Sequence, residues 1–149
     1  MKMHEARHAA AIVAAALAKA YSLSVDDGEA IPISHSTDPA ALLAALGSTD
    51  EDRILLYHAD RRRAGCILLV YGNEPGVLIA DYSDNEATNA VVLAADKLMP
   101  PTWAADPDHD ADHNQATPAD LASLAANTTA TPPTNKKPAL VWPFPKAAR

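Results

Sequence analysis

GCILLVYGNEPGVLIADY, residues 65–82, contains two apolar runs, residues 66–71 and 77–82, on either side of Gly72-Asn73-Glu74-Pro75-Gly76. The runs are rich in Val, Ile, Leu and Tyr, and every residue of the break is a turn former, so the stretch predicts a β-hairpin. Both runs are apolar at consecutive positions, whereas a strand with one wet face alternates. Both faces of the hairpin therefore need cover. Either the helices divide between the faces, or they stack on one and leave the other for a partner or a second copy.

Outward from the hairpin, the punctuation is clear on both sides. Downstream, Ser83-Asp84-Asn85-Glu86 has the spacing of a capping box. The helix it opens is expected to run to about Met99, with Ala87, Ala90, Val91, Ala94 and Leu98 inward and Pro100-Pro101 stopping it. Upstream, residues 53–58 (RILLYH) predict a strand, joined to the hairpin by a basic turn at 60–65. Before that, Asp38 is placed to cap a helix, Pro39 suits its first position and Gly47 the residue past its end. Leu42, Leu43 and Leu46 would be its buried stripe, followed by an acidic turn at 48–52. Residues 30–34 read as a short edge strand because of Pro32, and residues 24–29 (SVDDGE) as a turn. Residues 3–20 are alanine-rich and predict a helix. Met3, Ala6, Ala10, Val13 and Leu17 form its apolar face, with His4, Glu5, His8 and Lys19 away from it. The expected order is α-β-α-β-β-β-α: an α+β fold with an antiparallel sheet of three or four strands and three helices.

The 149 residues divide by composition. Residues 1–99 hold three of the 12 prolines and carry 8 Lys/Arg against 14 Asp/Glu, a balance of −6. They are expected to form a compact domain. Residues 100–149 hold the other nine prolines and read as a Pro/Ala/Thr-rich tail, irregular or ordered by a partner. Within it, Thr117-Pro118-Ala119-Asp120 has the signature of a helix start, with the helix running to about Ala126. The tail also has an acidic tract at 106–120 and a basic end, where Lys136, Lys137, Lys146 and Arg149 flank the island Leu140-Val141-Trp142-Pro143-Phe144. An aromatic pair among prolines has the form of a docking motif. The overall charge of −7 argues against direct nucleic-acid binding, which needs Lys and Arg at phosphates, and leaves open a protein partner with a basic surface. Cys66 is the only cysteine and lies in an apolar run, which suits a reducing, cytoplasmic setting. Glu5 and two histidines stand where a signal peptide would be basic, and no run is long enough for a membrane helix.

No cofactor signature is present, and the chemical motifs are sparse. His4-Glu5-Ala6-Arg7-His8 matches H-E-x-x-H, in which two histidines one turn apart hold zinc and the glutamate activates water. The third ligand would come from Asp26, Asp27, Asp81 or Glu86. Hydrolases of this type place a substrate-binding strand before the motif, and here three residues precede it. Residues 106–117 fail as a calcium loop, with Ala111 where glycine is needed and Thr117 where glutamate is needed. Arg61-Arg62-Arg63 is a basic turn able to grip an anionic group. Tyr71, Asn73, Asp81 and Tyr82, with Asp84 and Asn85, are the polar groups at the hairpin's ends and are expected to gather where strand meets helix.

VYGN at 70–73 and ADYSDN at 80–85 resemble small proteins encoded by phages and prophages, as do DGE at 27–29, STD at 36–38 and TDEDR at 49–53. The resemblance covers roughly residues 20–98 and leaves out H-E-x-x-H. It implies a context, that of non-enzymatic inhibitors or adaptors of host machinery, and no functional residue. The expected function is thus a non-catalytic protein-binding module, an inhibitor or adaptor acting on a host or defence complex. Its contacts would be Tyr71, Asn73, Asp81, Tyr82, Asp84, Trp142 and Phe144. The alternatives are a zinc hydrolase using His4, Glu5 and His8, and a structural subunit, a homo-oligomer whose tail threads along its neighbours.

Overall fold

The computed structural model describes residues 1–73, 77–99 and 115–128. Its elements are α1 (Met3–Ala18), β1 (Ser22–Asp26), β2 (Ile33–Ser36), α2 (Pro39–Ala45), β3 (Glu51–Tyr57), β4 (Arg63–Val70), β5 (Ile79–Tyr82), α3 (Glu86–Leu98) and α4 (Pro118–Thr128). The class is α+β, as the sequence implied, but the described residues form five strands and four helices. All strands pair antiparallel in the order β2-β1-β3-β4-β5. The expected hairpin is the β4–β5 pair at one edge of this sheet.

The extra strand is β1. The Asp-Asp-Gly in SVDDGE places the turn correctly, but the strand begins before it. Leu23 and Val25 point into the core, while Ser22 and Asp26 stay half-exposed. Asp26 and Asp27 then build the turn, with Asp27 accepting hydrogen bonds from the backbone of Glu29 and Ala30. β2 starts three residues later than expected and does lie at the sheet edge.

α2 forms as its punctuation dictates. The Asp38 carboxylate accepts from the Ala40 and Ala41 amides, and Leu42, Leu43 and Leu46 are buried. α3 is capped differently from the expectation. Asn85, not Ser83, is the cap and accepts from the Thr88 amide. The Ser83 hydroxyl instead accepts from the Cys66 amide, tying the helix entry to β4. Thr88, Val91 and Ala95 are the buried residues of α3, and Leu98, expected inside, is 57 % exposed. Gly65 lets α3 approach β4: a Cβ there would meet the Thr88 methyl at 2.5 Å.

α1 is the central helix. It packs against α2, α3 and α4, and ten of its residues are buried, so no single face describes it. An alanine-rich helix buried nearly all round allows three neighbours to approach closely. Glu5 and His8, expected on its wet side, are both buried. α4 is the helix that Thr117 and Asp120 announce, their side chains bonded to each other at 2.6 Å. Gln115 pairs with Lys2, and Ala125 is buried in the common core. A boundary at residue 99 would leave out this packed helix.

With α2, α3 and α4 all against α1, the four helices form one layer on one face of the sheet. Leu23, Val25, Ile54, Leu56, Ile67 and Leu69 point into it. Along β4, Gly65, Ile67 and Leu69 are buried, whereas Cys66, Leu68 and Val70 are half-exposed. The strand with no polar alternation in sequence therefore alternates in burial. No helix among the described residues is long and apolar enough to cross a membrane.

Candidate functional site

Two buried carboxylates hold one end of the sheet together. Glu5 accepts from the Lys2 amide through Oε2 at 2.6 Å and from the Gly72 amide through Oε1 at 2.7 Å. Asp52 accepts through Oδ2 from the Gly47 amide and from the Tyr71 hydroxyl, both at 2.7 Å. Gly47 and Gly72 both have left-handed φ, +76° and +82°, a region glycine enters without strain. At Gly47 a side chain would also strike Met1, with a Cβ only 2.7 Å from that residue's Cβ. The start of α1, the α2–β3 turn and the β4–β5 turn are thus fastened through backbone amides. Asp52 is fully buried and its Oδ1 has no partner. Burial raises its pKa above the usual carboxylate value, against the pull of the Gly47 and Tyr71 hydrogen bonds. Burial also raises the Tyr71 phenol, and the hydrogen bond and charge of Asp52 add to this.

In this network both oxygens of Glu5, the glutamate of H-E-x-x-H, accept from backbone amides. His8 is buried with Nε2 unpartnered, and burial lowers its pKa, with Asp96 pulling the other way. Among the described residues no three His, Cys, Asp or Glu side chains come together to hold a metal ion.

The structure separates the expected contact residues. Tyr71 is turned inward onto Asp52, and Asn73 lies exposed in the β4–β5 turn. Asp81 and Tyr82 are exposed at the far end of β5, and Asp84 is exposed just beyond, its carboxylate accepting from the Asn89 amide group. Tyr82 pairs with Ile67, four residues along β4 from Tyr71, which puts about 13 Å between the two groups. Trp142 and Phe144 lie outside the described residues.

At that far end an open groove of about 570 Å³ lies between the segment after α1 and the start of α3. Lys19, Tyr21, His58, Asn85 and Glu86 line it over an alanine floor, and the Tyr21 and His58 rings meet edge-on at 5.4 Å. Arg61-Arg62-Arg63 follows His58, with Arg62 paired to Asp60.

A further surface among the described residues is the sheet face away from the helices. Its rows follow from the register. Ser24, Leu55 and Cys66 form one row; Asp26, Arg53, Leu68 and Asp81 form the next; Glu51 stands opposite Val70. Leu55 is buried yet lies outside the main core, and Leu68 and Val70 do not pack against that core either. One end of this face is acidic, with Asp26, Glu51 and Asp81 around a single Arg53 that pairs with Glu51 at 3.1 Å. The other end holds Tyr57, with the His35 ring 4.2 Å away, and Arg63 opposite it. His35 sits at φ +50° in a bulge of β2 and donates its amide to the Ser24 hydroxyl. Sequence reading missed this surface as a unit because only the register brings its residues together. Its signal was the unbroken apolar run of β4. Protein-family models, curated proteins and solved structures were all compared with this chain, and none matches it.

Proposed function

We propose that the chain is a non-catalytic protein-binding module that grips its partner through the open face of the sheet. The observation that carries this reading is the one-sided packing: four helices cover one face, and the other keeps Leu68, Val70 and Cys66 half-exposed. Apolar residues ringed by charge are the usual make-up of a contact patch. Asp81 stands in register with Leu68, so one of the residues expected to make contacts belongs to this face, whereas Tyr82, opposite Ile67, lies on the helix side. Asp26, Glu51 and Asp81 favour a partner whose apolar contact lies in basic surroundings. The resemblance to small phage and prophage proteins suggests a host or defence complex as the partner, with the module acting as inhibitor or adaptor.

The test uses the full chain and its Leu68→Glu variant as baits in lysate of the source organism. The reading expects one stoichiometric protein with the wild-type bait, weakened by salt and lost with Leu68→Glu while the circular dichroism is unchanged. Capture that ignores Leu68→Glu places the contact elsewhere and overturns the reading, as does a bait that retains nothing specific.

A further inference from the structure

We propose that residues 140–144 of this same chain dock on the open sheet face, the charges of their neighbours Lys136, Lys137 and Lys146 complementing the carboxylates of Asp26, Glu51 and Asp81. The chemistry of the two sides matches. The face offers half-exposed Leu68, Val70 and Cys66 beside three carboxylates and one arginine, itself paired. The segment offers Leu140, Val141, Trp142 and Phe144, with four Lys/Arg and no acid from 136 to 149. Tail residues 100–128 lack that combination: their charged side chains are five aspartates.

The chain is long enough. α4 ends at Thr128, so eleven residues, 129–139, precede Leu140. Extended, they span up to about 36–40 Å, against a radius of gyration of about 14 Å for a domain of this size. A tether of that length supplies an effective concentration in the millimolar range, so even weak docking fills the face. Pro138, Pro143 and Pro145 favour an extended backbone that presents side chains without needing a strand partner. The segment then has the chemistry proposed above for the outside partner, apolar groups in basic surroundings, and competes with that partner for the same face. Docking of the segment does not require that any such partner exists.

Cys66, the single thiol, lies on this face and reports its cover. The measurement is the rate at which a thiol reagent labels Cys66 in the purified full chain and in the full chain carrying Trp142→Ser and Phe144→Ser. The double variant should label about two- to tenfold faster, as expected when a tethered segment leaves the face free. Wild-type labelling should speed up with salt and stay constant on dilution. Equal rates in the two chains overturn the proposal. A wild-type rate that rises on dilution also overturns it, because a second copy is then the cover. If the variant melts early and its thiol rate loses meaning, carbodiimide cross-linking of the wild type decides. Links from Lys136, Lys137 or Lys146 to Asp26, Glu51 or Asp81 within one chain support the proposal, and their absence refutes it. No outside partner is present in these measurements, so their outcome is separate from that of the lysate capture.

Discussion

The two faces of the sheet are made by the same strands and differ in nearly everything else. On the helix side, Leu23, Leu56, Ile67 and Leu69 have no exposed surface, and the β3 carboxylate there, Asp52, is held by two hydrogen bonds. On the other side, Leu68 and Val70 stand half-exposed among Asp26, Arg53, Glu51 and Asp81, with Arg53 paired to Glu51. Stability resides on the first face, so its residues have little freedom to change. The second contributes little to folding, which leaves its side chains available for recognition. Substitutions should separate the faces by size of effect.

The largest effect is expected at Leu56, fully buried near the end of β3. Leu56→Ala removes apolar contact and leaves a cavity in the core, and should cost about 2–5 kcal/mol of unfolding free energy in urea titration. A loss under about 1 kcal/mol would mean that the helix layer is loosely packed and that the contrast between the faces is weaker than the burial implies.

Tyr71→Phe comes next. It leaves Asp52 buried with only the Gly47 amide, and should cost about 1–3 kcal/mol at neutral pH. Asp52→Asn tests the same network through pH. The pKa of Asp52 is raised in the folded state, so just above the ordinary carboxylate value the folded chain keeps a proton that the unfolded chain has lost. The native carboxyl therefore supports folding at low pH, and that support is lost as pH rises through the raised value. The stability of Asp52→Asn relative to wild type should climb over the same window and then level off, read from urea midpoints between pH 4 and 8. A flat difference would mean that Asp52 does not titrate in that range.

How much of this was legible in the sequence depended on whether the signal was local. α2 was readable almost to the residue, because Asp38, Pro39 and Gly47 act within a few positions of themselves. The β4–β5 pair was readable from its turn residues and apolar runs. β1 was not, although Ser22-Leu23-Ser24-Val25 alternates cleanly, because Asp26, Asp27 and Gly28 carry the stronger local turn signal. Glu5 and His8 look like solvent-facing polar residues until α2, α3 and α4 surround α1 and the Gly72 amide reaches Glu5 from 67 positions away. The open face was legible only as a condition, an apolar strand in need of cover. Which side was covered depended on all four helices choosing the same face, a long-range outcome that no local pattern encodes.

The smallest effect sharpens the comparison most. Leu68 sits one position from Ile67 and Leu69 on β4, and its own side chain is only half-buried. Leu68→Ala removes roughly half the apolar contact of a core leucine and opens no enclosed cavity, so it should cost about 1 kcal/mol or less. Paired with Ile67→Ala, whose cost should fall in the core range of about 2–5 kcal/mol, it compares adjacent positions of one strand with the same backbone hydrogen bonding. The difference between the two midpoints then isolates the helix layer's contribution. If Leu68→Ala costs as much as Ile67→Ala, the cover proposed for the open face packs as tightly as the helix layer does. Repeating the pair in the Trp142→Ser, Phe144→Ser background then shows whether that cover is the chain's own C-terminal segment.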